Sequence, residues 1–251
     1  MDTVVGVQYE GGGELFQLVG NINDTSTSWT INRSDYMNIS DIFLHVHINI
    51  TIIVMYLYLH WLVILAADQS NARSILMYQS NLDKITQLSS HSALGVSGPN
   101  ADLVNFSEYI SKNLALYQLS NDGLKLSTHA QANYCRGELA TALRKGPYQV
   151  NCLLGGYDDS PGKASLYWMD YFGALSKVNY GCQGYASNFC LSIMDRDWTE
   201  GLSQDEAVAI VDKCIKELKV RFLMSQPNFI IKVIDKDGVR TLKFGADPSD
   251  N

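Results

Sequence analysis

Three things are missing from this sequence, and each absence closes a class of function. There is no cluster of basic residues: 19 Lys and Arg stand against 26 Asp and Glu, a formal net charge of -7 at pH 7. A surface that tracks nucleic-acid phosphates needs grouped cations to displace counterions, so no nucleic-acid partner is expected. There is no CxxC spacing, and the five cysteines, Cys135, Cys152, Cys182, Cys190 and Cys214, are odd in number. Neither a zinc site nor a disulfide framework is expected. The thiols read as small buried apolar side chains of a protein in a reducing compartment. The polar, highly charged composition of a disordered chain is missing too, since 46% of the 251 residues are apolar, enough to bury a large core.

What is present changes character along the chain. Thr3 to Val7, TVVGV, is β-branched and short and predicts a first strand. Residues 8 to 61 are unlike the rest. They pass from Gly11-Gly12-Gly13 through an Asn, Ser and Thr rich segment into an apolar run that starts at Ile42 and continues to Ala67. A run longer than the roughly 20 residues of a membrane span raises that reading. His45, His47, Asn49 and His60 interrupt it, however, and Val63 to Ala67 is needed as a core strand, so no membrane partner is expected. The run also lies too far into the chain, without a basic flank, to resemble a signal peptide. Sequons at Asn23, Asn32, Asn38 and Asn49 are read as chance matches in a stretch of this composition. His45 and His47 would share one face of a strand, but no third ligand lies near, so no metal site is expected, and no cofactor.

From Val63 the patterns become regular. Val63 to Ala67 predicts a buried strand ending at Asp68, followed by short strands through Lys84 and on to His91–Gly98. Pro99-Asn100 opens a helix with Leu103, Phe106, Ile110, Leu114 and Tyr117 on its apolar face, ending near Asn121-Asp122-Gly123. A second helix is expected from Thr128, with Gln131 completing a capping box, to Gly146-Pro147. Val150 to Leu154 is a nearly unbroken apolar run, closed by Gly155-Gly156. It suits a strand covered on both faces. The turn Asp158 to Gly162 then returns the chain through Ala164 to Met169, a central antiparallel hairpin in which Trp168 is expected to be buried. Gly181 to Met194 reads as strand-like. Ser203 to Glu206 is a capping box opening a helix with Ala207, Ile210, Cys214 and Leu218 on one face, and Phe229 to Ile234 turns through Asp235–Gly238 into a last strand. Strands, two helices, strands, a helix and closing strands suggest an α+β arrangement of layered antiparallel sheets and helices.

Six stretches, VILAADQSNARS, FSEYISKNLALYQL, PYQVNCLLGGYD, SLYWMDYFGAL, LSIMDRDW and CIKELKVRFL, in this order, resemble 20S proteasome beta subunits, and among them those of beta type-2, which take the fourth position of the beta ring. The resemblance covers residues 1 to 7 and 63 to about 243. It implies the four-layer αββα sandwich of N-terminal nucleophile hydrolases. It also implies assembly with other alpha and beta subunits in stacked seven-membered rings, a chamber through which protein substrates pass, and a place in the cytoplasm and nucleus.

Active members of that family use the first residue of the mature chain as nucleophile and base, with a lysine and an aspartate holding the geometry. Carried over position by position, the likeness puts Asp2 at the nucleophile, with Thr3 one place late and no Gly-Thr junction upstream. Asp68 and Lys84 match the family's aspartate and lysine. The serine expected before the last helix falls on Tyr185, the aspartate after it on Phe222, and Ser225 alone matches its serine. No catalytic residue is therefore assigned, and Asp68 and Lys84 are expected to be a retained ion pair or ordinary surface charges. The chain reads as a non-catalytic structural subunit of a threonine-protease complex. The alternative is an active endopeptidase using Thr3 after N-terminal processing. The resemblance also implies a tight turn between the strands matching TVVGV and VILAA. Residues 8 to 61 are accordingly expected to be a foreign insertion in a single domain spanning 1 to 251, with both flanking strands still paired and Ile50 to Leu59 at a hairpin tip that no core covers.

Overall fold

The computed structural model describes residues 3–10, 14–20, 54–73, 76–222 and 226–242, the first two ranges as backbone. They fall into two compact units, residues 1–48 and 49–251. In the first, β1 (Thr3–Glu10) pairs antiparallel with β2 (Glu14–Gly20).

The second unit holds two five-stranded antiparallel sheets. Strands β3 (Val54–Leu59), β4 (Leu62–Asp68), β12 (Tyr180–Gln183), β13 (Phe229–Asp235) and β14 (Gly238–Leu242) form one sheet in the order β12-β3-β4-β13-β14. Strands β7 (Ile85–Ser89), β8 (Ser92–Ser97), β9 (Asn151–Asp158), β10 (Lys163–Met169) and β11 (Leu175–Lys177) form the other, in the order β11-β10-β9-β8-β7. A separate two-stranded ribbon pairs β5 (Asn71–Arg73) with β6 (Leu76–Gln79). The helices among the described residues are α1 (Asn100–Ser120), α2 (Thr128–Ala142), α3 (Ser187–Asp197) and α4 (Gln204–Arg221).

Period-2 alternation sorts these elements into four layers. Along β4, Leu62, Ile64 and Ala66 enter a core shared with Cys190, Met194, Ile210 and Leu218 of α3 and α4, while Val63, Leu65 and Ala67 enter a core between the sheets with Ala93, Leu153 and Leu166. Along β9, Leu153 faces the other sheet, and Cys152 and Leu154 face Phe106, Ile110 and Leu139 of α1 and α2. Helices, sheet, sheet and helices follow one another, which is the αββα sandwich. All five cysteines are free and buried, as expected of small apolar side chains.

Several expectations need correction. The β4 hairpin partner is β3, from Val54↔Ala67 to Leu59↔Leu62, and its other neighbour is β13. Val54 to Leu59 is thus a buried central strand and not a hairpin tip. Its own alternation, with Met55 and Leu57 toward the helices and Val54 and Tyr56 toward the other sheet, supplies both cores at once. Thr3 to Val7 is a strand, but it pairs with β2. Gly155 and Gly156 do not close β9. They lie inside it, where an added Cβ would come within 2.8 Å of Val63 Cγ1 and 2.4 Å of Thr128 Oγ1. Both glycines let a neighbouring layer approach the strand closely.

The cap of α2 is Ser127, which accepts from the Ala130 amide; Gln131 instead accepts from the buried Ser92 hydroxyl and donates to the Leu126 carbonyl. Residues 187 to 197 are the helix α3, carried by Ala186, Cys190 and Met194 at four-residue steps. Trp168 is half-buried at the edge of the inter-sheet core. The Ser203–Glu206 capping box is formed as the sequence predicts. Asn23, Asn32, Asn38, Asn49, His45 and His47 lie outside the described residues. No helix among the described residues is long and apolar enough to cross a membrane.

Candidate functional site

Asp68 is the last residue of β4, and Lys84 immediately precedes β7. The two are 16 residues apart in sequence but meet, joining the end of β4 to the start of β7. Lys84 Nζ lies 2.9 Å from both carboxylate oxygens of Asp68 and donates to the Ser70 carbonyl at 2.7 Å. The Ser70 amide donates to Asp68 Oδ2 at 3.2 Å. The side chains are 2% and 0% exposed, which decides between the two sequence readings: this is a buried ion pair, not a pair of surface charges. Taking each ion out of water costs several kcal/mol, which only close pairing and further hydrogen bonds offset. Burial pushes the Lys84 ammonium below the ordinary lysine range, and the Asp68 carboxylate opposes that shift.

A second lysine reinforces the same region. Lys232 of β13 donates to Asp83 Oδ2 at 2.5 Å and to the Ile85 carbonyl at 2.6 Å, tying one sheet to the other beside Lys84. Nothing in the sequence distinguished Lys232 from a surface lysine. The end of the first sheet also collects buried amide groups. Gln183 stands opposite Val54, which stands opposite Ala67, and Gln183 Nε2, the Gln226 carboxamide and Ser70 Oγ have no hydrogen-bond partner among the described residues. Gln and Ser are ordinary surface types, so these positions carried no sequence signal.

Of the positions carried over from the resemblance, Phe222 and Tyr185 are described in the same unit as the pair. Phe222 caps α4 and meets Phe189 edge-on, ring centroids 5.8 Å apart, both half-buried against the apolar core of α3 and α4. Tyr185 is exposed. Thr3 opens β1 in the first unit; Asp2 and Ser225 lie outside the described residues. The Ser70 hydroxyl, two residues from Asp68, is buried and has no hydrogen-bond partner among the described residues. By themselves a carboxylate and an ammonium orient and hold the chain; an acyl intermediate needs an activated hydroxyl or thiol beside them.

The profile of the family described as "Proteasome subunit" matches residues 61–234, more than half of the chain. The chain belongs to the proteasome subunit family. Its relatives include "Proteasome subunit beta type-2-A" of Arabidopsis thaliana, 52% identical over 177 residues, which are 70% of this chain and 86% of that one. "Proteasome subunit beta type-2" of Dictyostelium discoideum is 42% identical over 73% of this chain and 93% of its own. "Probable proteasome subunit beta type-4" of Schizosaccharomyces pombe is 44% identical over 72% and 94%. Likeness at this level makes the chain a proteasome beta subunit, and the αββα sandwich agrees with that membership. The family match begins at Trp61, so β3 lies outside it although the strand is central to the sheet.

Proposed function

We propose that this chain is a non-catalytic structural beta subunit of the 20S proteasome core. It takes one place in a seven-membered beta ring and helps to close the chamber through which protein substrates pass during ATP- and ubiquitin-dependent degradation. It works in the cytoplasm and nucleus. The observation that carries the reading is Phe222. Where the family's active members have an aspartate to complete a polar network, this chain has an aromatic ring packed against the core of α3 and α4. Asp68 and Lys84 then serve as a fixed electrostatic joint between the two sheets.

The second reading, an active threonine endopeptidase with Thr3 freed by processing, draws on the same retained pair. Purified particles treated with a peptide electrophile that captures threonine nucleophiles separate the two. Labelled active subunits beside an unlabelled copy of this chain support the structural role; an adduct on this chain sinks it.

A further inference from the structure

A second cluster of reactive side chains uses none of the residues around Asp68 and Lys84. Ser90 and His91 make the turn between β7 and β8, Lys125 precedes α2, and Lys236 lies in the turn between β13 and β14. The first turn is pinned through its backbone. The Val239 amide donates to the Ser90 carbonyl at 3.1 Å, the Tyr157 amide to the His91 carbonyl at 2.8 Å, and the His91 amide to Ser89 Oγ at 3.2 Å. Gly238 comes so close that an added Cβ would stand 2.9 Å from the Ser90 carbonyl oxygen. Within this frame Ser90 Oγ lies 2.8 Å from His91 Nδ1, and His91 Nε2 lies 3.1 Å from the Lys236 carbonyl oxygen. A carbonyl can only accept, so in the neutral ring Nε2 carries the proton and Nδ1 accepts from the Ser90 hydroxyl. Lys125 Nζ donates to the same Ser90 Oγ at 2.8 Å. A hydroxyl beside a base that a third group orients, with a cation to favour its alkoxide, is an activated nucleophile.

We propose that Ser90, His91 and Lys125 form an acyl-relay site, at which Ser90 takes an acyl group from a small neutral thioester and passes it to Lys125. Ser90 and Lys125 are exposed and line a cavity of about 220 Å³, which Asp158 and Asp159 also line. The two carboxylates leave that cavity no surplus of positive charge for an anionic donor, and its size suits a short acyl group. Ser90 Oγ attacks the thioester carbonyl while its proton passes to His91 Nδ1. The carbon–sulfur bond breaks, and the leaving thiolate takes that proton and departs as the thiol. Lys125, after giving one proton to solvent, attacks the ester carbonyl with its nitrogen lone pair. The bond to Ser90 breaks, an amine proton returns to the Ser90 oxygen, and the acyl group remains on Lys125 as an amide. The sum is one ammonium and one thioester giving one amide, one thiol and one proton. The chain is the acceptor and turns nothing over, so the inference is independent of whether the chain hydrolyses peptides.

The test incubates the full chain with the acetyl thioester of N-acetylcysteamine and follows acetylation of each lysine by peptide mass spectrometry. The exposed Lys145 and Lys177 serve as internal controls for ordinary lysine reactivity. Lys125 is expected to be acetylated about tenfold faster than either, a modest share of what holding reacting groups together can give. Ser90→Ala and His91→Gln should bring it to the control rate, whereas Ser90→Cys, which restores a nucleophile, should keep it above. Lys125→Arg retains the cation but cannot take the acyl group, so an ester cleaved by hydroxylamine should accumulate on Ser90. Equal rates at the three lysines in the wild-type chain overturn the proposal. So does an excess at Lys125 that survives Ser90→Ala, which would mark a reactive lysine without a relay, or a Lys125→Arg chain with no ester on Ser90.

Discussion

Lys84 and Asp68 form a joint that neither residue could sustain alone, with the ammonium 2.9 Å from each carboxylate oxygen and almost no exposure on either side chain. Breaking such a pair from one side strands the other charge, a loss of about 3–5 kcal/mol, which is a large part of an ordinary protein's stability. Lys84→Ala is therefore expected to lower the yield of particles containing this chain. It should leave every peptidase activity unchanged per assembled particle. The check is activity against three peptide substrate types, normalised to particle concentration; selective loss of one activity would show that the pair serves chemistry after all.

The capping box of α4 gives a pH prediction whose sign is fixed. Glu206 accepts from the Ser203 amide and hydroxyl, each at 2.8 Å, and these bonds hold its carboxyl below the ordinary value of 4.5. A carboxylate lowered in the fold contributes stability that is fully present above its unfolded pKa and is lost as pH falls through the folded one. Glu206→Gln keeps an acceptor but loses the charge at the positive helix end. It should melt below wild type at pH 7, with the gap closing below pH 4.5. A gap that stays constant with pH would remove the charge from the explanation.

Gly95 and Tyr56 report on which strand fills the sheet beside β4. A Cβ on Gly95 would stand 1.5 Å from the Tyr56 hydroxyl oxygen and 2.7 Å from Val54 Cγ1. Gly95→Ala should cost about 1–3 kcal/mol through overpacking, and Tyr56→Phe in the same chain should recover part of it. Strict additivity in thermal melts would mean that the two residues are not in contact.

How much of this was legible depended on whether a segment's own pattern decided its fate. The apolar runs at Val63–Ala67 and Val150–Leu154, the 3.6-residue stripe of α1 and the Ser203–Glu206 box each declare one structure locally, and each formed. Helix α3 was missed because its short apolar face of Ala186, Cys190 and Met194 follows Gly181 and Gly184, which read as strand punctuation. Gly155 and Gly156 were misread as a stop because only the neighbouring Val63 and Thr128 reveal why they are needed. Val54 to Leu59 was read as uncovered because family likeness assigned its place to Thr3–Val7. For the site, Asp68 and Lys84 are visible only through the family likeness, which the interval of 16 residues between them matches. Lys232, Gln183 and Gln226 were not, since burial alone sets them apart.

Two deletions test whether residues 8–61 are an insertion foreign to the working protein. Deleting 8–53 keeps β3, whereas deleting 8–61 removes it and leaves Thr3–Val7 to take its place between β12 and β4. If the segment is foreign to the working protein, both shortened chains should fold and enter particles. Success of the first with failure of the second would make Val54–Leu59 an indispensable part of the sheet.

The central claim, that this beta subunit does no chemistry, is tested most directly by N-terminal sequencing of the subunit taken from purified, active particles. The account predicts a mature chain that does not begin at Thr3. Thr3 as the first residue, with its α-amino group free, would contradict it.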